Sequence, residues 1–131
     1  MIVAKLKIDK VVDVDQILNK VVKEKKNVDL STFYKRKISA VDKEIYIYSF
    51  ECVVVKNSIR ENAYSLECSY VRIPFCATFT IIASVKTDSV AMDVVFPSDD
   101  KSHDNPPSNS IIDGLKKEGF KVLKYTGYNN I

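Results

Sequence analysis

The sequence predicts an α+β domain, and three observations carry that prediction. Residues 2–8 alternate in polarity, the block from Ile45 to Phe96 is rich in β-branched and aromatic residues, and apolar residues at helical spacing occur on either side of that block. The expected architecture is a four-stranded antiparallel meander plus N- and C-terminal strands, with two or three helices packed on one face. The expected order is β-α-(α)-β-β-β-β-α-β. A chain of 131 residues with 46% apolar and 28% charged residues fits a single domain over 1–131, because two cores of half that size would each bury too little surface.

Ile2, Ala4, Leu6 and Ile8 alternate with Val3, Lys5 and Lys7, the period of a half-buried strand. Asp13 followed by Gln16 resembles a capping box. Val14, Ile17, Leu18, Val21 and Val22 then recur at helical spacing, predicting a helix that ends near Lys26. Asp29 to Lys37, with Ser31 as a cap, is read as a short second helix. Four strands are expected at 45–56, 63–72, 75–86 and 89–96. A turn centred near residue 60 sets Phe50 opposite Tyr70, Cys52 opposite Cys68 and Val54 opposite Leu66. A two-residue turn at Thr87-Asp88 sets Val85 opposite Val90, Ala83 opposite Met92, Ile81 opposite Val94 and Phe79 opposite Phe96. Pro74 lacks a ladder donor and should mark a bend or an edge between these hairpins. Pro97 to Asn109 reads as a polar loop. Ser108 or Ser110 then caps a helix carrying Ile111, Ile112 and Leu115, Gly119 closes it, and Phe120 to Tyr125 returns as the last strand.

Several function classes lack their residues. Gly114, Gly119 and Gly127 are the only glycines and none forms a phosphate-cradling motif; the one histidine, His103, lies in the polar loop rather than on an element that orients a base. Cationic residues are more informative. Residues 1–60 carry 13 lysines and arginines against 8 acids, while residues 61–131 carry 7 against 9, so any basic surface belongs to the first half. Lys20, Lys23 and Lys26 share one face of the first predicted helix, and Lys35, Arg36 and Lys37 follow beside Phe33 and Tyr34. This set predicts a small non-enzymatic accessory protein, without a cofactor, that binds DNA, RNA or a nucleic-acid-processing partner through a basic helix face.

Two alternatives come from other classes. Asp99, Asp100, His103 and Asp104, with Asp93 and Asp113 on either side, supply the oxygen and nitrogen donors of a metal-dependent nuclease. The segment Ile112 to Tyr125 resembles the helix–strand ending of restriction-endonuclease-like enzymes of the very-short-patch repair type. Asp99-Asp100-Lys101-Ser102-His103 imitates their acid-acid-x-x-His step. That resemblance covers about the last quarter of the chain and lacks the family's Asp and Glu-x-Lys set on core strands. The other alternative is a dimeric protein-binding inhibitor or assembly factor, suggested by a Ser/Thr-rich sheet face that includes Ser49, Thr78, Thr80 and Ser84.

Cys52 and Cys68, opposite one another in the expected register, form a candidate cross-strand disulfide; the odd total of three cysteines favours free thiols in a reducing compartment. No apolar run approaches the roughly 20 residues of a membrane span, and the N-terminal stretch alternates, so a cytoplasmic protein with no membrane partner is expected. Lys-, Asn- and Ile-rich usage suits an AT-rich genome such as that of a virus or mobile element.

Overall fold

The computed structural model describes residues 2–23, 28–61, 68–96 and 107–126. They form β1 (Ile2–Ile8), α1 (Val14–Lys23), β2 (Val28–Ser39), β3 (Glu44–Glu61), β4 (Cys68–Val85), β5 (Val90–Phe96), α2 (Pro107–Lys117) and β6 (Lys121–Tyr125). Six strands make one sheet in the order β2-β3-β4-β5-β1-β6, with every adjacent pair antiparallel. β2 to β5 are the four-stranded meander. β1 lies between β5 and β6, which are therefore parallel to each other and are joined by the α2 crossover.

Local chemistry sets the helix ends. Asp13 accepts the Gln16 N–H at 3.1 Å, so the first half of the expected capping box holds the start of α1. α2 begins at Pro107, whose missing donor costs nothing in the first turn, and Ser108 and Ser110 lie inside the helix rather than capping it. At its end the Phe120 N–H reaches the Leu115 carbonyl and the Gly119 N–H reaches that of Lys116, both within 3.1 Å. Gly119 takes φ +103°, closing a Schellman motif that only a residue without Cβ adopts freely.

Both helices cover one face of the sheet. Val14, Leu18, Val21 and Val22 of α1 and Ile111, Ile112 and Leu115 of α2 join Ala4, Leu6, Tyr48, Phe50, Phe79, Ile81, Met92, Val94 and Phe96 in one buried cluster. A ladder of rings crosses four strands: Phe33 stacks on Phe50 with centroids 6.0 Å apart, Phe50 on Phe79 at 5.3 Å and Phe79 on Phe96 at 4.4 Å.

The hairpin expected at Thr87-Asp88 is present in the expected register, with Val85 against Val90, Ala83 against Met92 and Ile81 against Val94. Three expectations are corrected. The segment read as a second helix, 29–37, is part of β2, and the span 45–96 holds three strands rather than four. Lys35, Arg36 and Lys37 consequently lie on a strand, on alternating faces. The break near residue 60 is not a turn, because β3 runs through it to Glu61. Phe50 therefore pairs with Phe79 rather than Tyr70, Cys52 with Ala77, and Cys68 with Glu61. Nine ladder positions, about 30 Å of strand, separate the two cysteines, which removes the geometry on which the candidate Cys52–Cys68 disulfide rested. β4 continues through Pro74, which pairs with Val55; β5 adjoins β4 only from Thr80 onward, so the proline sits where β4 is an edge.

Among the described residues, β2 pairs with β3 no further than Cys52, and β5 with β4 no further than Thr80, whereas β3 and β4 stay paired to Glu61 and Cys68. Among the described residues, the nine pairs from Val53↔Cys76 to Glu61↔Cys68 form a two-stranded ribbon beyond the sheet. Among the described residues, no helix is long and apolar enough to cross a membrane.

Candidate functional site

Of the cations singled out in the sequence, the described ones, Lys20, Lys35, Arg36 and Lys37, do not share one surface. Lys20 on α1 pairs with Glu118 at 2.9 Å, which draws it toward the end of α2. Lys35 and Lys37 point to the helix-covered side at the β2 margin. Lys35 pairs with Asp15 at 2.5 Å and lies 4.9 Å from the centre of the Tyr46 ring, and Lys37 pairs with Glu44 at 3.2 Å. Arg36, one position away on the strand, is on the opposite face and has no ion-pair partner among the described residues. Lys26 and the side chain of Lys23 lie outside what is described.

Asp15, near the start of α1, ties the helix to the sheet. Its carboxylate accepts from Lys35 and from the hydroxyl of buried Tyr48. The Lys35 hydrogen bond first, and then that of Tyr48, hold the Asp15 carboxyl below the ordinary carboxylate value. Burial, then the bond to Asp15, push the Tyr48 hydroxyl well above the ordinary phenol. A second set repeats the pattern at the surface, where Tyr46 donates to Glu44 at 2.7 Å and Lys37 pairs with the same carboxylate. The Tyr46 bond and then Lys37 lower the Glu44 carboxyl. Such closed acid–tyrosine–lysine sets satisfy their own charges and offer little to an anionic ligand.

A prediction follows from this geometry. Tyr48→Phe should raise the Asp15 pKa toward its ordinary value and cost about 1 kcal/mol, since a bond to a charged group is discounted at a half-exposed carboxylate. A depressed carboxyl stabilises the fold above its unfolded value of about 4, and the contribution is lost as pH falls through the folded value. The variant should therefore show a shallower loss of stability on acidification below that point, read by urea melts and by NMR titration of Asp15. An unchanged Asp15 titration would show that Lys35 alone sets it.

The metal alternative gains no support from the described acids. Asp93 lies on the uncovered sheet face, 3.8 Å from Lys5, while exposed Asp113 is on α2, which packs on the other face. No group of three or more His, Cys, Asp or Glu that could hold a metal occurs among the described residues. Asp99, Asp100, His103 and Asp104 lie outside them.

The uncovered face of the sheet is the other surface to consider, and sequence reasoning saw only its Ser/Thr content. The observed registers place Ser49, Thr78, Thr80 and Ser84 there as expected, and add a central aliphatic strip of Ile38, Ile45, Ile47 and Ile82. Ile38 and Ile82 are 40% and 37% exposed, more than a covered sheet would leave them. Tyr34 and Arg36 border the strip on the β2 side, and Asp93 with Lys5 borders it on the other. Comparison with family models, with curated proteins and with solved structures gives no match.

Proposed function

We propose that the protein is a non-enzymatic assembly module that works as a homodimer, two copies packing their uncovered sheet faces together. The observation that supports this is the aliphatic strip at the centre of a face that, among the described residues, no helix covers. Aligned sheets pack about 10 Å apart through side chains of this kind. The four meander strands, spaced about 4.8 Å and each contributing about seven residues, offer roughly 450 Å² per copy, or roughly 900 Å² for the pair, the size of a weak, reversible interface. Both signs of charge border the strip, which suits a surface that meets itself. Sedimentation equilibrium from micromolar to millimolar concentration should show a reversible dimer, and changing Ile47 and Ile82 together to Lys should leave a monomer with unchanged circular dichroism. A wild-type monomer throughout that range removes the proposal.

A second reading keeps nucleic acid as the partner, and what favours it is the ribbon rather than α1. Its register positions hold Lys56, Arg60 and Arg72 against the single acid Glu61, and a two-stranded ribbon is narrow enough to enter a major groove. Duplex affinity should fall with salt at a slope of about −0.9 per phosphate contacted, hence roughly −2.7 for three cations. Changing those three residues to Gln should abolish the slope, whereas changing Lys20, Lys23 and Lys26 to Gln should barely alter it. Binding that is absent, or insensitive to the ribbon substitutions, removes this reading.

A further inference from the structure

We propose that the two copies pair about an axis parallel to the strands, with β2 of each lying over β5 of the other. This inference rests on the face-to-face dimer proposed above and fixes its register. One row of the uncovered face carries it. Arg36 pairs with Ile47, Ile47 with Ile82, and Ile82 with Asp93. Read across the four strands of the meander, the row is cation, aliphatic, aliphatic, anion.

A two-fold axis between β3 and β4, parallel to them, inverts this row onto itself. Each Arg36 then meets the partner's Asp93, and each Ile47 meets the partner's Ile82. The opposite choice, an axis perpendicular to the strands, sets β2 over β2 and Arg36 near its own copy, a like-charge contact that desolvation makes worse. Arg36 is exposed and has no ion-pair partner among the described residues, so it is available for such a contact. Among the described residues Asp93 has only the long 3.8 Å ion pair to Lys5, and both side chains remain about half exposed, at 53% for Lys5 and 44% for Asp93. Its carboxylate therefore retains acceptor capacity for a guanidinium, which binds carboxylates with a planar two-pronged fork.

The rows on either side are compatible with the same overlay. Ile38, Ile45, Ser84 and Ala91 form one, and Tyr34, Ser49, Thr80 and Val95 the other. Under the inversion Ile45 meets Ser84 and Ser49 meets Thr80, small against medium throughout. Ile38 meets Ala91 and Tyr34 meets Val95, a large side chain against a smaller one in both cases. No like charges face each other in these three rows.

The test is a charge exchange measured on the full chain by sedimentation equilibrium. R36D and D93R should each raise the dimer dissociation constant by roughly tenfold or more, because each creates two like-charge contacts per dimer. R36D/D93R should restore it to within roughly threefold of wild type, the restoration that a register-specific pair gives and a general loss of charge does not. Ile82→Lys serves as the control for the face itself. Rescue by the double variant supports the register. A dimer weakened by Ile82→Lys but not rescued by the exchange overturns the register while leaving the face-to-face dimer standing. A dimer indifferent to Ile82→Lys, or a wild-type monomer, overturns both.

Discussion

Phe79→Ala is expected to cost about 3–5 kcal/mol, a large share of the roughly 5–15 kcal/mol that holds a domain of this size together. Phe79 is fully buried and sits at the middle of the ring ladder, stacked on Phe50 of β3 at 5.3 Å and on Phe96 of β5 at 4.4 Å. Removing it deletes the transfer free energy of one ring and takes one stacking partner from each of Phe50 and Phe96. The strands on both sides are hydrogen-bonded to β4, so the backbone cannot collapse into the space. Urea melts should show the midpoint falling with little change in slope, and the thermal midpoint should drop by about 10–20 °C. Thr78→Ala, one residue away on the uncovered face, should stay within about 0.5 kcal/mol of wild type. A loss below about 1 kcal/mol for Phe79→Ala would show that the rings contribute area but not a continuous support across the sheet.

The Phe79–Phe96 contact can be read from the sequence. A two-residue turn at Thr87-Asp88 fixes every partner on β4 and β5 by counting outward, which places Phe79 opposite Phe96. β1, the Asp13 cap and the Gly119 helix end were readable for the same reason, each being fixed by residues within a few positions of one another. β2 was misread because its alternation carries lysine on the buried side. Lys35 and Lys37 occupy the face that elsewhere holds the core, and they are tolerated only because Asp15 and Glu44 reach them at the sheet margin. The break at Lys56 to Asn62 was misread because polarity was taken for a turn. β3 continues through Lys56 to Glu61 while paired with β4, so polarity in that stretch does not mark a reversal of the chain. The Arg36–Ile47–Ile82–Asp93 row was not legible, since it requires three ladder registers at once and only the one set by Thr87-Asp88 could be counted out.

Gly114→Val is expected to cost about 2–3 kcal/mol, and to do so through packing between helices rather than through helix propensity. Gly114 lies midway along α2, where its own backbone angles would accept any residue. A Cβ built there comes 2.8 Å from Cγ1 and 3.3 Å from Cγ2 of Val21. Val21 is a buried residue of α1 with a single stiff torsion, so it has little freedom to swing away. The two helices approach closely because this position has no side chain. Valine and glycine differ by only a few tenths of a kcal/mol in intrinsic helix propensity, so nearly all of the loss measures the clash. The double variant with Val21→Ala gives the check. Opening space on α1 should make the pair less destabilising than the sum of the two single changes by about 0.5–3 kcal/mol, whereas additive losses would place the source of the cost elsewhere than the α1–α2 contact.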